Sequence, residues 1–135
     1  MAYFLVKSEP DVWSFDQHMK KSVSGWDGVR NHAAAGHLRA MKKGDRAFFY
    51  HSNIGKEIVG IVEVVKEAYP DKSDETGKFV MVDFKAIEPL KKPVTLAQVK
   101  ADKNLKDMAL LKYSRLSVQP VTADEWKYIS KLGGL

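Results

Sequence analysis

The chain has 135 residues, enough for one domain, and 22 Lys+Arg against 17 Asp+Glu give a charge of +5, a sign compatible with a nucleic-acid partner but not specific to one. Hydrophobic residues at 44% and charged residues at 29%, with no apolar run of membrane-spanning length, exclude a disordered chain and an α-helical membrane protein. The absence of cysteine excludes disulfides, thiolate catalysis, zinc fingers and iron–sulfur clusters. With an opening that lacks the regions of a signal peptide, it sets the expectation of a cytoplasmic protein, nuclear if eukaryotic.

In chain order, Tyr3 to Lys7 is a short apolar strand stopped at Ser8-Glu9-Pro10, because Pro10 forces Glu9 into extended conformation. Ser14 caps a helix running to about Lys21, and a looser stretch with Gly25 and Gly28 follows. Asn31 is the N-cap of a second helix whose Ala34, Leu38 and Met41 share a face and whose stop is Gly44. Ala47 to Tyr50 is apolar on both faces, as in a strand buried between layers, and Asn53 to Glu57 suits a hairpin connection into the β-branched strand Ile58 to Val65. After a polar loop from Pro70 to Lys78, Val80, Val82, Phe84 and Ala86 form the core face of a third strand. Helical segments from about Thr95 and about Asn104, a late strand from Leu116 to Val121, and a capping box from Thr122 to Glu125 opening a last helix complete the chain. No repeat or linker divides it, so one domain over residues 1–135 is expected. The order of elements is that of a small mixed barrel with peripheral helices, an α+β fold, and not of a doubly wound sheet.

Most of the positive excess lies in residues 85–115, where seven Lys and one Arg face Glu88, Asp102 and Asp107. Such a run is either a solvated surface or a phosphate contact. Catalytic signatures are missing: there is no Gly-rich phosphate loop, no nucleophile elbow and no H-E-x-x-H pattern. His18, His32, His37 and His51 are too scattered for a metal site, and neither metal nor cofactor is expected.

Polar and aromatic side chains instead gather at Lys7-Ser8-Glu9, at Trp26 with Arg30 and Asn31, and at Tyr50-His51-Ser52. An aromatic face with in-plane donors and acceptors is what recognition of a flat heterocycle requires. Each also has a structural reading: Trp26 as core aromatic, Asn31 as helix cap, Arg30 as ion-pair partner of Asp27 or another acid, and Tyr50 as a core ring with its hydroxyl at the edge.

The segments FLVKSEP, SGWDGVRN, MKKGDRAFFYHS, IVGIVEVV followed by AYPD, and SRLSVQPV stand in an order and spacing that resemble the EVE domain family over essentially the whole chain. The resemblance implies a PUA-like mixed β-pseudobarrel, similar to YTH, ASCH and SRA-type domains. It also implies non-catalytic recognition of DNA or RNA carrying a modified base, flipped into a pocket. Position by position, it implies that Trp26 is a pocket wall and that Lys7 and Ser8 line the same pocket. Arg30 and Asn31 would supply polar contacts, Tyr50, His51 and Ser52 would approach from the strand opposite, and Ser114 and Arg115 would contribute from the late segment. The run His32-Ala33-Ala34-Ala35-Gly36 departs from the aromatic and polar helix start the family has there. A second reading is an enzyme acting on a modified nucleotide or nucleobase with Lys7, His51 or Glu9 as acid or base. A third is a small-molecule or protein-interaction module.

Overall fold

In the computed structural model, which describes residues 1–135, six strands form one sheet. They are β1 (Tyr3–Ser8), β2 (Val23–Gly25), β3 (Arg46–His51), β4 (Glu57–Pro70), β5 (Val80–Thr95) and β6 (Val118–Val121). The order is β2-β5-β4-β3-β1-β6, with β1 parallel to β3 and the other neighbours antiparallel. β2 and β6 stay at the edges, so hydrogen bonding does not close the barrel. The helices are α1 (Phe15–Lys21), α2 (His32–Ala40), α3 (Leu96–Ala101), α4 (Ala109–Lys112) and α5 (Ala123–Leu132).

The central strands are buried on both faces because their side chains alternate between two cores. Phe4, Val6, Ala47 and Phe49 point into one, which α1 and α2 cover with Phe15, Ala34, Ala35 and Leu38, joined by Met41 just past the end of α2. Leu5, Phe48 and Tyr50 point into the other, covered by Val99 of α3, Leu110 of α4 and Ile129 of α5. The two-faced apolar pattern at 47–50 thus has the expected cause.

Capping boxes start α1 at Ser14 and Gln17, α3 at Thr95 and Gln98, and α5 at Thr122 and Glu125. Asn31 Oδ1 accepts from the Ala34 N–H at 2.9 Å and starts α2. Gly60 admits α1: a Cβ there would collide with the Phe15 ring.

Three expectations need correction. The stretch before Trp26 includes a strand, since Val23 to Gly25 pair with β5. β5 continues past the expected core face ending at Ala86 to Thr95, through Pro89 and Pro93; Pro89 faces Gly60 beside a register irregularity, where a missing donor is tolerated. The helix expected from about Asn104 is a 3-10 turn at Lys103–Leu105 followed by the single turn of α4.

Candidate functional site

Trp26 lies where β2 runs out. Its N–H donates to the Val82 carbonyl at 2.7 Å, prolonging the pairing with β5, and its indole packs edge-on against Phe49 and Phe84. The residue is only 8% exposed, so the ring is a core member whose remaining surface faces a cavity of about 650 Å³. Lys7, Ser8, Trp13, Lys21, Arg30, Met81 and Ser117 are also among the residues that line this cavity.

Behind the wall lies His18, fully buried. The Trp13 indole N–H can only donate, and it meets His18 Nδ1 at 3.1 Å, so the ring proton is on Nε2 and is given to the Phe84 carbonyl at 2.8 Å. Burial lowers the His18 pKa below the ordinary histidine value, against the opposing effect of that carbonyl. Ser8 Oγ donates to the Trp13 carbonyl at 2.6 Å, holding the segment after Pro10 against the end of β1. Trp13 precedes the Ser14 cap and packs on the fourth helical residue, the placement of a hydrophobic staple.

Across the cavity, Asp71 organises the turn that carries Arg30. Its side chain is fully buried; one oxygen accepts from the Gly28 N–H at 2.8 Å and from Arg30 Nη1 at 3.0 Å, the other from the Ser73 N–H and hydroxyl. Burial pushes the carboxyl pKa up, but the hydrogen bonds from Ser73, Gly28 and Arg30 together outweigh it and hold the group at about 2. Gly28 has φ of +79°, a conformation that favours glycine. Arg30 also reaches Ser73 Oγ and lies over the Phe79 ring, leaving its side chain 40% exposed at the rim. Its acid is therefore Asp71, not Asp27.

On the remaining side a Cβ at Gly25 would collide with the Met81 methyl and touch Asp83 and Tyr69. The Tyr69 hydroxyl donates to Asp83, and burial together with that bond raises its pKa to about 12.

Of the side chains expected at the site, the cavity brings together Lys7, Ser8, Trp26 and Arg30. Asn31, Ser114 and Arg115 line a neighbouring depression. Tyr50 and Ser52 line a small third one with Lys7 and Ser114, the Tyr50 ring being buried in the core. His51 lines none of these: its Nε2 accepts from the Phe15 N–H at 3.1 Å and anchors the start of α1 to β3. The cavity's cations are Lys7, Lys21 and Arg30, all outside the basic stretch 85–115. Trp13, Lys21, Met81 and Asp71 escaped the sequence reading. Trp13 had a signal in its position before a helix cap; Asp71, 41 residues from Arg30, had none.

A bulged mixed sheet left open at its edges, with helices on both faces and an indole-walled cationic cavity, defines a domain of the PUA-like fold. The ASCH protein of Zymomonas mobilis shares that fold with a TM-score of 0.61 at 12% identity, over 96% of this chain and 94% of that one. The EVE domain profile matches residues 2–132, and the chain belongs to the EVE domain family.

A Rhodopseudomonas palustris protein is 65% identical, with a TM-score of 0.94 over 99% of this chain and 94% of that one. Human thymocyte nuclear protein 1 is 35% identical over 97% of this chain and 73% of its own length. The human protein solved in complex with 5-methylcytosine-containing DNA superposes with a TM-score of 0.92 at 35% identity, covering 100% of this chain and 99% of that one.

Proposed function

We propose that this chain binds, without turning over, DNA or RNA that carries a modified base, the base leaving its stack to enter the cavity beside Trp26. The observation that carries the reading is the cavity itself: two indoles, Trp13 and Trp26, with Lys7, Lys21 and Arg30 around a space of about 650 Å³. Its volume lies within the range of about 300–1,000 Å³ usual for small-ligand sites. Extracting a base costs a few kcal/mol, and stacking on an aromatic returns about 1–3 kcal/mol, so edge hydrogen bonds and phosphate contacts must supply the rest. Ser8 and the cations are the groups we assign to those contacts. The human relative's complex with 5-methylcytosine-containing DNA supports the polymer and the kind of modification. We place the activity in the cytoplasm, or the nucleus where the cell has one.

The test is titration of otherwise identical oligonucleotides with cytosine or 5-methylcytosine at the centre. A methyl-sized apolar contact contributes about 1–3 kcal/mol, so tighter binding of the methylated strand by about five-fold or more is expected. Trp13→Ala is the informative variant, because Trp26 is buried in the core whereas Trp13 is only half-buried; since Trp13 also packs on that core and donates to His18, urea unfolding of the variant is measured beside its binding. Trp13→Ala should weaken binding about five-fold or more, with the oligonucleotide recovered unchanged. Equal affinity for both strands, unaffected by Trp13→Ala, refutes the reading, and chemical alteration of the bound base would favour an enzyme.

A further inference from the structure

Beside the cavity lies a second depression of about 610 Å³, between the start of α2 at Asn31, Ala33 and His37 and the turn Tyr113 to Leu116. The turn's backbone is held from several directions. The Leu116 N–H donates to the Tyr113 carbonyl at 3.0 Å, and the fully buried Gln119 amide donates to the carbonyls of Tyr113 and Leu116 at 2.9 Å each. Lys7 Nζ, from the cavity, donates to the Ser114 carbonyl at 2.7 Å. The turn's large side chains are left outside: Tyr113 is 60% exposed, and Arg115 is exposed and in no salt bridge. The lining contains no carboxylate.

Cavity and depression are neighbours along two chain segments. Arg30 and Ser117 line the cavity, while the adjoining Asn31 and Leu116 line the depression. An aromatic on a turn whose backbone is held, an unpaired guanidinium and continuity with a cavity large enough to hold a base suit one occupant. We infer that the depression receives the nucleotide adjoining the modified one on the same strand, its base stacking on Tyr113 and its phosphate facing Arg115. The inference rests on the reading of the cavity as the base site. It makes the ligand a strand segment in place of a free base, and it gives the domain a preference set partly by the neighbouring base's stacking.

The experiment uses the full chain and DNA oligonucleotides, single- and double-stranded, with a central 5-methylcytosine and with the flanking base intact or removed on either side. Removing the flanking base on one side should weaken wild-type binding about five-fold or more. Tyr113→Ala should bind the intact strand as weakly and be indifferent to that removal, while Tyr113→Phe keeps wild-type behaviour. Arg115→Ala should reduce the slope of log affinity against log salt by about 0.7 on single strands. If Tyr113→Ala and Arg115→Ala leave affinity and salt slope unchanged while Trp13→Ala still weakens binding, the inference fails and the cavity reading survives. Additive losses from Tyr113→Ala and the missing base also overturn it, because Tyr113 would then act elsewhere. Absence of any preference for the methylated strand, insensitive to Trp13→Ala, overturns both.

Discussion

The carboxylate of Asp71 and the imidazole of His18 fix two sides of the cavity without projecting into it. Asp71 accepts hydrogen bonds through both oxygens from the Gly28 to Arg30 turn and from Ser73, so it sets where Arg30 stands. His18 is neutral and bonded through both nitrogens, which orients Trp13 and backs Trp26. Because its folded pKa is lowered, the unfolded chain binds the extra proton more readily. The stability His18 contributes is full above the ordinary histidine value near 6.5 and is lost as pH falls below it toward the lowered value. Urea unfolding between pH 7.5 and pH 5 should show this decline. In His18→Gln the protein should be less stable at pH 7.5 but should decline less steeply, the residual slope coming from His37 and His51, which burial also lowers. A slope identical to wild type would mean that His18 does not contribute to it.

At the scale of elements, the site depends on how closely β2 approaches β5 and α1 approaches β4. Gly25 and Gly60 are the positions where side chains from neighbouring elements, Met81 and Phe15, occupy the space a Cβ would need. The two substitutions should therefore differ. In Gly60→Ala the obstacle is a ring in the core, and overpacking should cost about 1–3 kcal/mol in urea unfolding. In Gly25→Ala the obstacle is the flexible end of Met81, a cavity residue, so a smaller cost in stability should accompany weaker oligonucleotide binding. Gly25→Ala binding like wild type would show that Met81 can move without disturbing the ligand. The same elements show what sequence makes legible. Ser14, Asn31 and Thr122 announce their helices because capping is a local geometry. β5 beyond Ala86 was not legible, since Pro89 and Pro93 are tolerated there only through register irregularities against β4 that no local pattern encodes.

For the whole molecule, the net charge of +5 lies in residues 85–115, while the cavity draws its cations from outside that stretch. The basic stretch 85–115 reaches the proposed strand path only through Arg115, whereas Lys7, Lys21 and Arg30 come from elements that the fold gathers at the cavity. Lys21, exposed on α1 and above the Trp13 ring, is the one whose removal disturbs least. Lys21→Ala should lower the salt dependence of oligonucleotide binding by about 0.7–0.9 in log–log slope while leaving the urea midpoint nearly unchanged. An unchanged slope would place the strand away from α1.

The sequence by itself determined what depends on neighbours along the chain: strands buried on two faces, helix caps, the absence of cysteine chemistry, and the ordered motifs that resemble the EVE family. It also singled out Lys7, Ser8, Trp26 and Arg30. Only the tertiary structure decided that His51 anchors a helix, that Asn31, Ser114 and Arg115 belong to a separate depression, and that Asp71 and Trp13 shape the cavity. The reason is physical. Adjacent residues have side chains that point to different faces of a strand or opposite sides of a turn, so closeness in a motif does not ensure closeness in a site. The partners that orient a buried polar group come from wherever the fold brings a donor within reach.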